Sequence, residues 1–116
     1  MRLLLVEDNP MNIELFTAAL ETDGHDVVVE REGRAGLARA LAERFDLIIL
    51  DVQLPGMDGV AIVRELRAAD QRGPIVALSS SAMADQVQRG LDAGFDEYLT
   101  KPIAPAELRA AVRRHS

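Results

Sequence analysis

Five short apolar runs alternate along the chain with longer stretches in which apolar residues recur at helical spacing. The runs are Leu3–Val6, Val27–Val29, Leu47–Leu50, Ile75–Leu78 and Tyr98–Thr100. The third and the fourth are apolar at every position, which is typical of strands buried on both faces of a parallel sheet. The pattern therefore predicts a central parallel sheet that helices cover on both sides.

The stretches between and after these runs predict five helices of about 10–14 residues each. The first is the clearest, because Asn9 can cap it, Pro10 takes its first position and Gly24 follows its end. Met11 and Met83 are expected to fill the core or a groove. The apolar residues that mark the five helices are Ile13, Phe16, Leu20, Leu37, Leu41, Ile62, Val63, Leu66, Val87, Leu91, Leu108 and Val112.

Five successive strand–helix units predict an α/β fold, since the crossovers between parallel strands are right-handed. We expect a doubly wound, five-stranded parallel sheet with the flavodoxin-like strand order 2-1-3-4-5 and helices on both faces. The 116 residues are the size of one domain. We therefore expect a single domain over residues 1–116, which the fold uses up without leaving room for an output domain.

Composition and charge exclude several classes of protein. The chain has no cysteine, so disulfides and thiolate metal sites are impossible. A net charge of −6 and 3% aromatic residues disfavour direct binding to nucleic acid. No apolar run approaches the ~20 residues of a membrane span, and the N-terminal run is too short for a signal peptide. We expect a cytoplasmic protein that binds neither nucleic acid nor a membrane.

Acidic residues follow two of the predicted strands: Glu7 and Asp8 follow the first, and Asp51 the third. In doubly wound folds, ligands bind beyond the carboxyl ends of the strands where the strand order reverses, here between the first and third strands. Carboxylates gathered there repel one another unless a cation is present. Because an all-oxygen ligand set suits a hard ion, the three acids predict a Mg²⁺ site.

The other strand ends add groups that suit a phosphoryl ligand. The fourth strand runs into Ser79, Ser80 and Ser81, and the fifth into Lys101. A metal ion and Lys101 would neutralise phosphoryl oxygens, and Ser79 would donate a hydrogen bond to them; Ser80 remains an alternative for that hydroxyl. Aspartate can itself be a phosphoryl acceptor. Asp51 is the best candidate, because the buried third strand holds it centrally.

Four segments in this order resemble the receiver domain of response regulators over the full length of the chain. They are Leu5–Asn9, Asp51–Gly59, Pro74–Ser79 and Tyr98–Ile103. The chain as a whole resembles receivers of the chemotaxis-regulator type. Its Glu7–Asn9 opening and Lys101–Ile103 ending resemble receivers of hybrid kinases and of single-domain cell-cycle regulators. The acidic pair is Glu-Asp rather than the commoner Asp-Asp, and Ser79 stands where Thr is commoner; both are within the range of the family.

The resemblance implies a two-component phosphorelay protein. Asp51 would accept the phosphoryl group from a phosphohistidine of a histidine kinase or a histidine phosphotransfer protein. Asp8 would bind Mg²⁺ directly, Glu7 through water, and Gln53 through its main-chain carbonyl. The Lys101–Pro102 peptide is expected to be cis, at a cost of ~0.5–1 kcal/mol.

The resemblance also assigns a switch. Ser79 and Lys101 would contact the phosphoryl group, and Tyr98 is the switch aromatic. Gln53 and Ser81, two residues beyond Asp51 and Ser79, would tune the phosphorylation lifetime. We expect the face of the fourth helix, fifth strand and fifth helix to bind a downstream partner, or a second copy of the chain, more tightly after phosphorylation.

Three other functions are weighed against this interpretation. A magnesium phosphohydrolase with an aspartate nucleophile needs a second acid at position 53, where Gln stands. A flavin-binding protein needs hydroxyl and glycine donors after the first strand, where Glu7–Pro10 would repel phosphate. A pseudo-receiver would not need Asp51, Asp8 and Lys101. We therefore expect that the protein is not an enzyme and catalyses only its own phosphorylation and dephosphorylation.

Overall fold

A parallel sheet of five strands forms the centre of the molecule. The computed structural model describes residues 1–81 and 83–116. The strands are β1 (Arg2–Val6), β2 (Asp26–Glu30), β3 (Leu47–Asp51), β4 (Ile75–Ser79) and β5 (Glu97–Thr100). Their order is β2-β1-β3-β4-β5 and all neighbouring pairs are parallel, which confirms the predicted fold class and strand order.

One helix follows each strand. The helices are α1 (Pro10–Thr22), α2 (Gly33–Ala42), α3 (Gly59–Ala68), α4 (Ala84–Ala93) and α5 (Pro105–Arg114). The Asn9 side chain caps α1 by accepting hydrogen bonds from two main-chain N–H groups. Gly24 and Gly94, with φ of 85° and 132°, take the left-handed backbone that follows α1 and α4. Among the described residues, no helix is long and apolar enough to cross a membrane.

The sheet separates two hydrophobic cores, because successive side chains of each strand point to opposite faces. Burying one large aliphatic side chain contributes about 1.5–3 kcal/mol, so both faces stabilise the sheet. The α3–α4 core comprises Leu4, Val6, Ala40, Phe45, Ile48, Leu50, Ile62, Val63, Leu66, Ile75, Ala77 and Phe95. The α1–α5 core comprises Leu3, Leu5, Phe16, Leu20, Leu47, Ile49, Val76, Leu78, Ile103, Leu108 and Val112.

Four apolar side chains that were predicted to face inwards are exposed: Met11, Leu41, Met83 and Leu91. Met11 is 70% exposed and Met83 61% exposed, so of the predicted core or groove positions the core is wrong for both. Small residues make up the inner face of α2, where a Cβ on Gly36 would lie 2.7 Å from the Val6 side chain. The helix therefore packs closely on β1 through Gly36, and Leu41 is left on the outside.

Candidate functional site

Three carboxylates meet where β1 and β3 end side by side. Glu7 is the first residue after β1 and Asp51 is the last residue of β3, and the two strands pair up to Val6 and Leu50. One carboxylate oxygen from each of Glu7, Asp8 and Asp51 lies within 4.8 Å of the other two. Glu7 and Asp51 are buried, whereas Asp8 is exposed at the rim of the crevice. The predicted cluster is therefore brought together by the reversal of strand order.

Lys101 reaches this cluster from the segment after β5. Its Nζ lies 2.9 Å from Glu7 Oε1 and 2.7 Å from Asp51 Oδ2. Its main-chain N–H donates to the Ser79 carbonyl at 2.6 Å, which fixes the segment against the end of β4. The Lys101–Pro102 peptide is cis, as expected. One ammonium therefore bridges the two buried carboxylates.

Burial and charge act differently on these groups. Burial and the neighbouring Glu7 charge raise the pKa of Asp51 to about 6, although Lys101 opposes the rise. Burial also disfavours the ionised form of Glu7, but hydrogen bonds from Lys101 and the Asn9 N–H outweigh it and lower the pKa of Glu7. Burial likewise disfavours charged Lys101, yet both carboxylates together raise its pKa. Of the two buried carboxylates, Asp51 is therefore the one whose ionised form is disfavoured.

The donor set fits a hard divalent cation. Three carboxylates converge here, and only the Lys101 ammonium offsets them among the described residues. A net negative charge remains in a crevice that one exposed acid, Asp8, leaves open to water. Carboxylate oxygens at this spacing are the ligands that Mg²⁺ takes in proteins.

Ser79 lies at the end of β4 with its hydroxyl fully buried. Its Oγ accepts a hydrogen bond from Gln53 Nε2 at 2.8 Å and another from the Ser81 N–H at 3.1 Å. Ser80 is exposed, and its N–H donates to Gln53 Oε1 at 3.1 Å. Of the two serines, Ser79 therefore has the buried, hydrogen-bonded hydroxyl, whereas Ser80 contributes its main-chain N–H.

The hydrogen bonds of the Gln53 side chain to Ser79 and Ser80 were not predicted from the sequence. Its main-chain N–H donates to Asp51 Oδ1 at 2.9 Å, while its amide spans the distance to Ser79 and Ser80. The sequence carries no signal for this pair, because 26 residues separate Gln53 from Ser79 and the conformations of two loops bring them together.

Tyr98 lies on the same face of the sheet as Ser79. It pairs with Ala77 in the register of β4 and β5, and its ring meets the Phe95 ring edge-on with 6.5 Å between centroids. The ring also packs against Gly90, where a Cβ would lie 2.9 Å from Tyr98 Cε2. Tyr98 and Gln53 line the same groove of about 350 Å³ between α3 and α4.

Comparison with known proteins gives one consistent result. The family model described as "Response regulator receiver domain" matches residues 3–113. The Escherichia coli K12 transcriptional regulatory protein HprR is 43% identical over 97% of this chain and 50% of its own length.

Two solved structures extend the likeness. The Vibrio cholerae chemotaxis response regulator CheY4 has a TM-score of 0.93 and 31% identity over 99% of this chain and 98% of its own. The receiver domain of sensor histidine kinase PA1611 from Pseudomonas aeruginosa, with a magnesium ion in its active-site cleft, has a TM-score of 0.89. It is 37% identical over 98% of this chain and 95% of its own. The chain spans half or less of the length of the curated relatives it matches.

Proposed function

Because the chain belongs to the response regulator receiver domain family, it is a receiver of two-component signal transduction, and we propose that Asp51 accepts the phosphoryl group. The single observation that supports Asp51 is its position at the bottom of the acidic crevice. One carboxylate oxygen accepts from the Gln53 N–H and the other contacts the Lys101 ammonium. The domain would extend over residues 1–116 and act in the cytoplasm.

In the transfer step, a carboxylate oxygen of Asp51 attacks the phosphorus of a phosphohistidine on a histidine kinase or phosphotransfer protein. An Asp51 O–P bond forms and the donor P–N bond breaks, and its electron pair stays on the imidazole nitrogen, which takes up a proton. Lys101 lies beside Asp51 and neutralises charge on the phosphoryl oxygens, while Ser79 donates a hydrogen bond to one of them.

The metal is Mg²⁺ in this proposal. Asp8 and Asp51 would ligate it through carboxylates, Glu7 through water, and Gln53 through its main-chain carbonyl. When bound, the ion supplies positive charge at the phosphoryl oxygens and relieves the repulsion among the acids. The support from this chain is its cluster of three acids with a single ammonium beside it.

Receiver domains are not classical enzymes, and the proposed chemistry here is limited to the phosphorylation and dephosphorylation of Asp51. In dephosphorylation, water attacks the phosphorus, the Asp51 O–P bond breaks with its electron pair left on the carboxylate, and inorganic phosphate leaves. Gln53 and Ser81 would hinder or orient that water. Neither is an acid or a base at neutral pH, so we expect release to be slow compared with turnover by a phosphatase.

The output surface of the proposal is the face formed by α4, β5 and α5. When Ser79 turns towards the phosphoryl group, it vacates space on the side of the sheet where Tyr98 packs. The Tyr98 ring can then turn further inward and change this face, which biases an existing equilibrium between two states. A downstream protein, or a second copy of the chain, would bind the phosphorylated state more tightly.

Phosphorylation is tested by intact mass after incubation with a small acyl phosphate and Mg²⁺. We expect a gain of one phosphoryl group in the wild type and none in Asp51→Asn. Asp58→Asn is the matched control, because Asp58 is an exposed acid in the same loop that caps α3 through its side chain, and asparagine caps equally well. Full labelling of Asp51→Asn would contradict the proposed acceptor.

A further inference from the structure

We propose that the Gln53 side chain is a positioning residue for Ser79: a latch that holds the hydroxyl in its unphosphorylated place. The proposal rests on the proposed function, because it concerns how readily Ser79 can serve a phosphoryl group on Asp51. It goes beyond a lifetime role, since it assigns Gln53 an effect on the switch before any phosphoryl group arrives.

The latch consists of two hydrogen bonds from one amide. Gln53 Nε2 donates to Ser79 Oγ at 2.8 Å, and Gln53 Oε1 accepts from the Ser80 N–H at 3.1 Å. Because an N–H can meet only the oxygen of an amide, the Ser80 contact fixes which end of the amide faces Ser79. The side chain therefore ties the loop after β3 to the loop after β4 at the switch hydroxyl.

The hydroxyl is held on the side of the sheet away from Asp51. Ser79 follows Ile75 and Ala77 in strand alternation and so shares the face of the α3–α4 core, whereas Asp51 follows Leu47 and Ile49 on the opposite face. To donate to a group on Asp51, Ser79 Oγ has to swing around the strand end. That movement breaks its hydrogen bond with Gln53.

The energies allow such a latch to open. Gln53 is exposed, so water can replace the partners that its amide loses, whereas the Ser79 hydroxyl is fully buried. A hydrogen bond between neutral groups contributes a modest net free energy, which corresponds to about a threefold to tenfold change in an equilibrium constant. The latch therefore sets the position of the switch without locking it.

The experiment compares wild type with Gln53→Met, which keeps the length of the side chain and removes both hydrogen bonds. Beryllofluoride with Mg²⁺ is the probe, as a phosphoryl mimic, and its affinity is measured by tyrosine fluorescence. Tyr98 is the only tyrosine and the chain has no tryptophan, so the signal comes from the switch residue itself. We expect Gln53→Met to bind beryllofluoride about three to ten times more tightly than the wild type.

Two controls separate the latch from simpler effects. Gln86→Met changes a glutamine of α4 that lines the same groove, and it should leave the affinity unchanged. In a Ser79→Ala background, Gln53→Met should give no gain, because no hydroxyl remains to release. Equal or weaker binding by Gln53→Met, or the same gain in the Ser79→Ala background, would overturn the latch.

NMR spectra of the metal-free protein, recorded without beryllofluoride, test the latch independently of phosphoryl chemistry. In the metal-free protein, Gln53→Met should shift the amide resonances of Ser79, Ser81 and Tyr98, and Gln86→Met should not shift those of Ser79 and Ser81. Unmoved resonances would refute the latch even if beryllofluoride binds. Failure of the wild type to bind beryllofluoride, with the resonances shifted as expected, would instead refute the proposed function.

Discussion

Replacing Asp51 by asparagine should stabilise the metal-free protein, although Asp51 is central to the proposed chemistry. The carboxylate is 2% exposed and lies beside the charge of Glu7. Both features disfavour its ionised form, so above its pKa the folded protein contains a charge that the unfolded chain would solvate more easily. Asparagine keeps the shape of the side chain and removes that charge.

The magnitude follows from the pKa. A rise from the usual 3.8 to about 6 corresponds to a loss of about 3 kcal/mol of folding free energy once Asp51 is fully ionised. Because the folded-state pKa of Asp51 is the higher one, the folded protein holds the proton of Asp51 more tightly than the unfolded chain does. The stability that this proton contributes is complete below pH 3.8 and is lost as the pH rises through 6. The loss is about half complete at pH 5 and complete at pH 8.

The pKa of about 6, and hence the figure of about 3 kcal/mol, already includes the favourable contact of ionised Asp51 with Lys101. In the variant, the Lys101 ammonium loses the carboxylate of Asp51 at 2.7 Å but keeps that of Glu7 at 2.9 Å. Because the asparagine amide does not reproduce every hydrogen bond of a neutral carboxyl group, we expect Asp51→Asn to raise the unfolding free energy by about 1–3 kcal/mol at pH 8 and by clearly less at pH 5.

The assay is urea unfolding with a chelator at both pH values, with Asp58→Asn as the matched control. Asp58→Asn should unfold like the wild type at each pH. Adding millimolar Mg²⁺ should reduce the difference in unfolding free energy between Asp51→Asn and the wild type at pH 8, because the ion binds the native wild type and stabilises it by mass action. Two results would contradict the destabilising effect of ionised Asp51. One is an Asp51→Asn variant no more stable than the wild type at pH 8, and the other is a stability difference between the two proteins that does not change with pH.

Three further substitutions test the packing around the site. Gly59→Ala would place a Cβ 2.8 Å from the Asp51 carbonyl, so it should destabilise the protein by about 1–3 kcal/mol in urea melts; unchanged stability would contradict the contact. Gly90→Ala would place a Cβ 2.9 Å from the Tyr98 ring, so tyrosine fluorescence of the metal-free protein should change, and an unaltered spectrum would show that the ring does not pack there. Asn9→Ala removes the cap of α1 and should lower the unfolding free energy by about 1 kcal/mol, while phosphoryl labelling of Asp51 continues.

Hydrophobic periodicity alone predicted much of the fold. Leu47–Leu50 and Ile75–Leu78 are apolar throughout and are fully buried in the structure, because a strand covered on both faces needs apolar residues at every position. Five such strands alternating with helices leave few topologies, and right-handed crossovers reduce them further. Helix faces were less certain, as Leu41 and Leu91 show, because buried glycines supply part of the inner surface of α2 and α4.

The sequence also determined which chemical groups share one edge of the sheet. Glu7, Asp8, Asp51, Ser79 and Lys101 each follow or end a strand, and parallel strands bring their carboxyl ends to the same edge. The type and order of these groups therefore predicted an acidic site with a hydroxyl and an ammonium. Local sequence is sufficient for this conclusion because it depends only on where strands end.

Tertiary structure alone decided how those groups pair. Lys101 bridges Glu7 and Asp51, and the Gln53 amide holds Ser79, across separations of 50 residues for Lys101–Asp51 and 26 for Gln53–Ser79. Such contacts depend on loop conformation and on the direction of each side chain, and neither is recorded in hydrophobic spacing. The raised pKa of Asp51 has the same origin, because burial and the approach of another carboxylate exist only once the chain has folded.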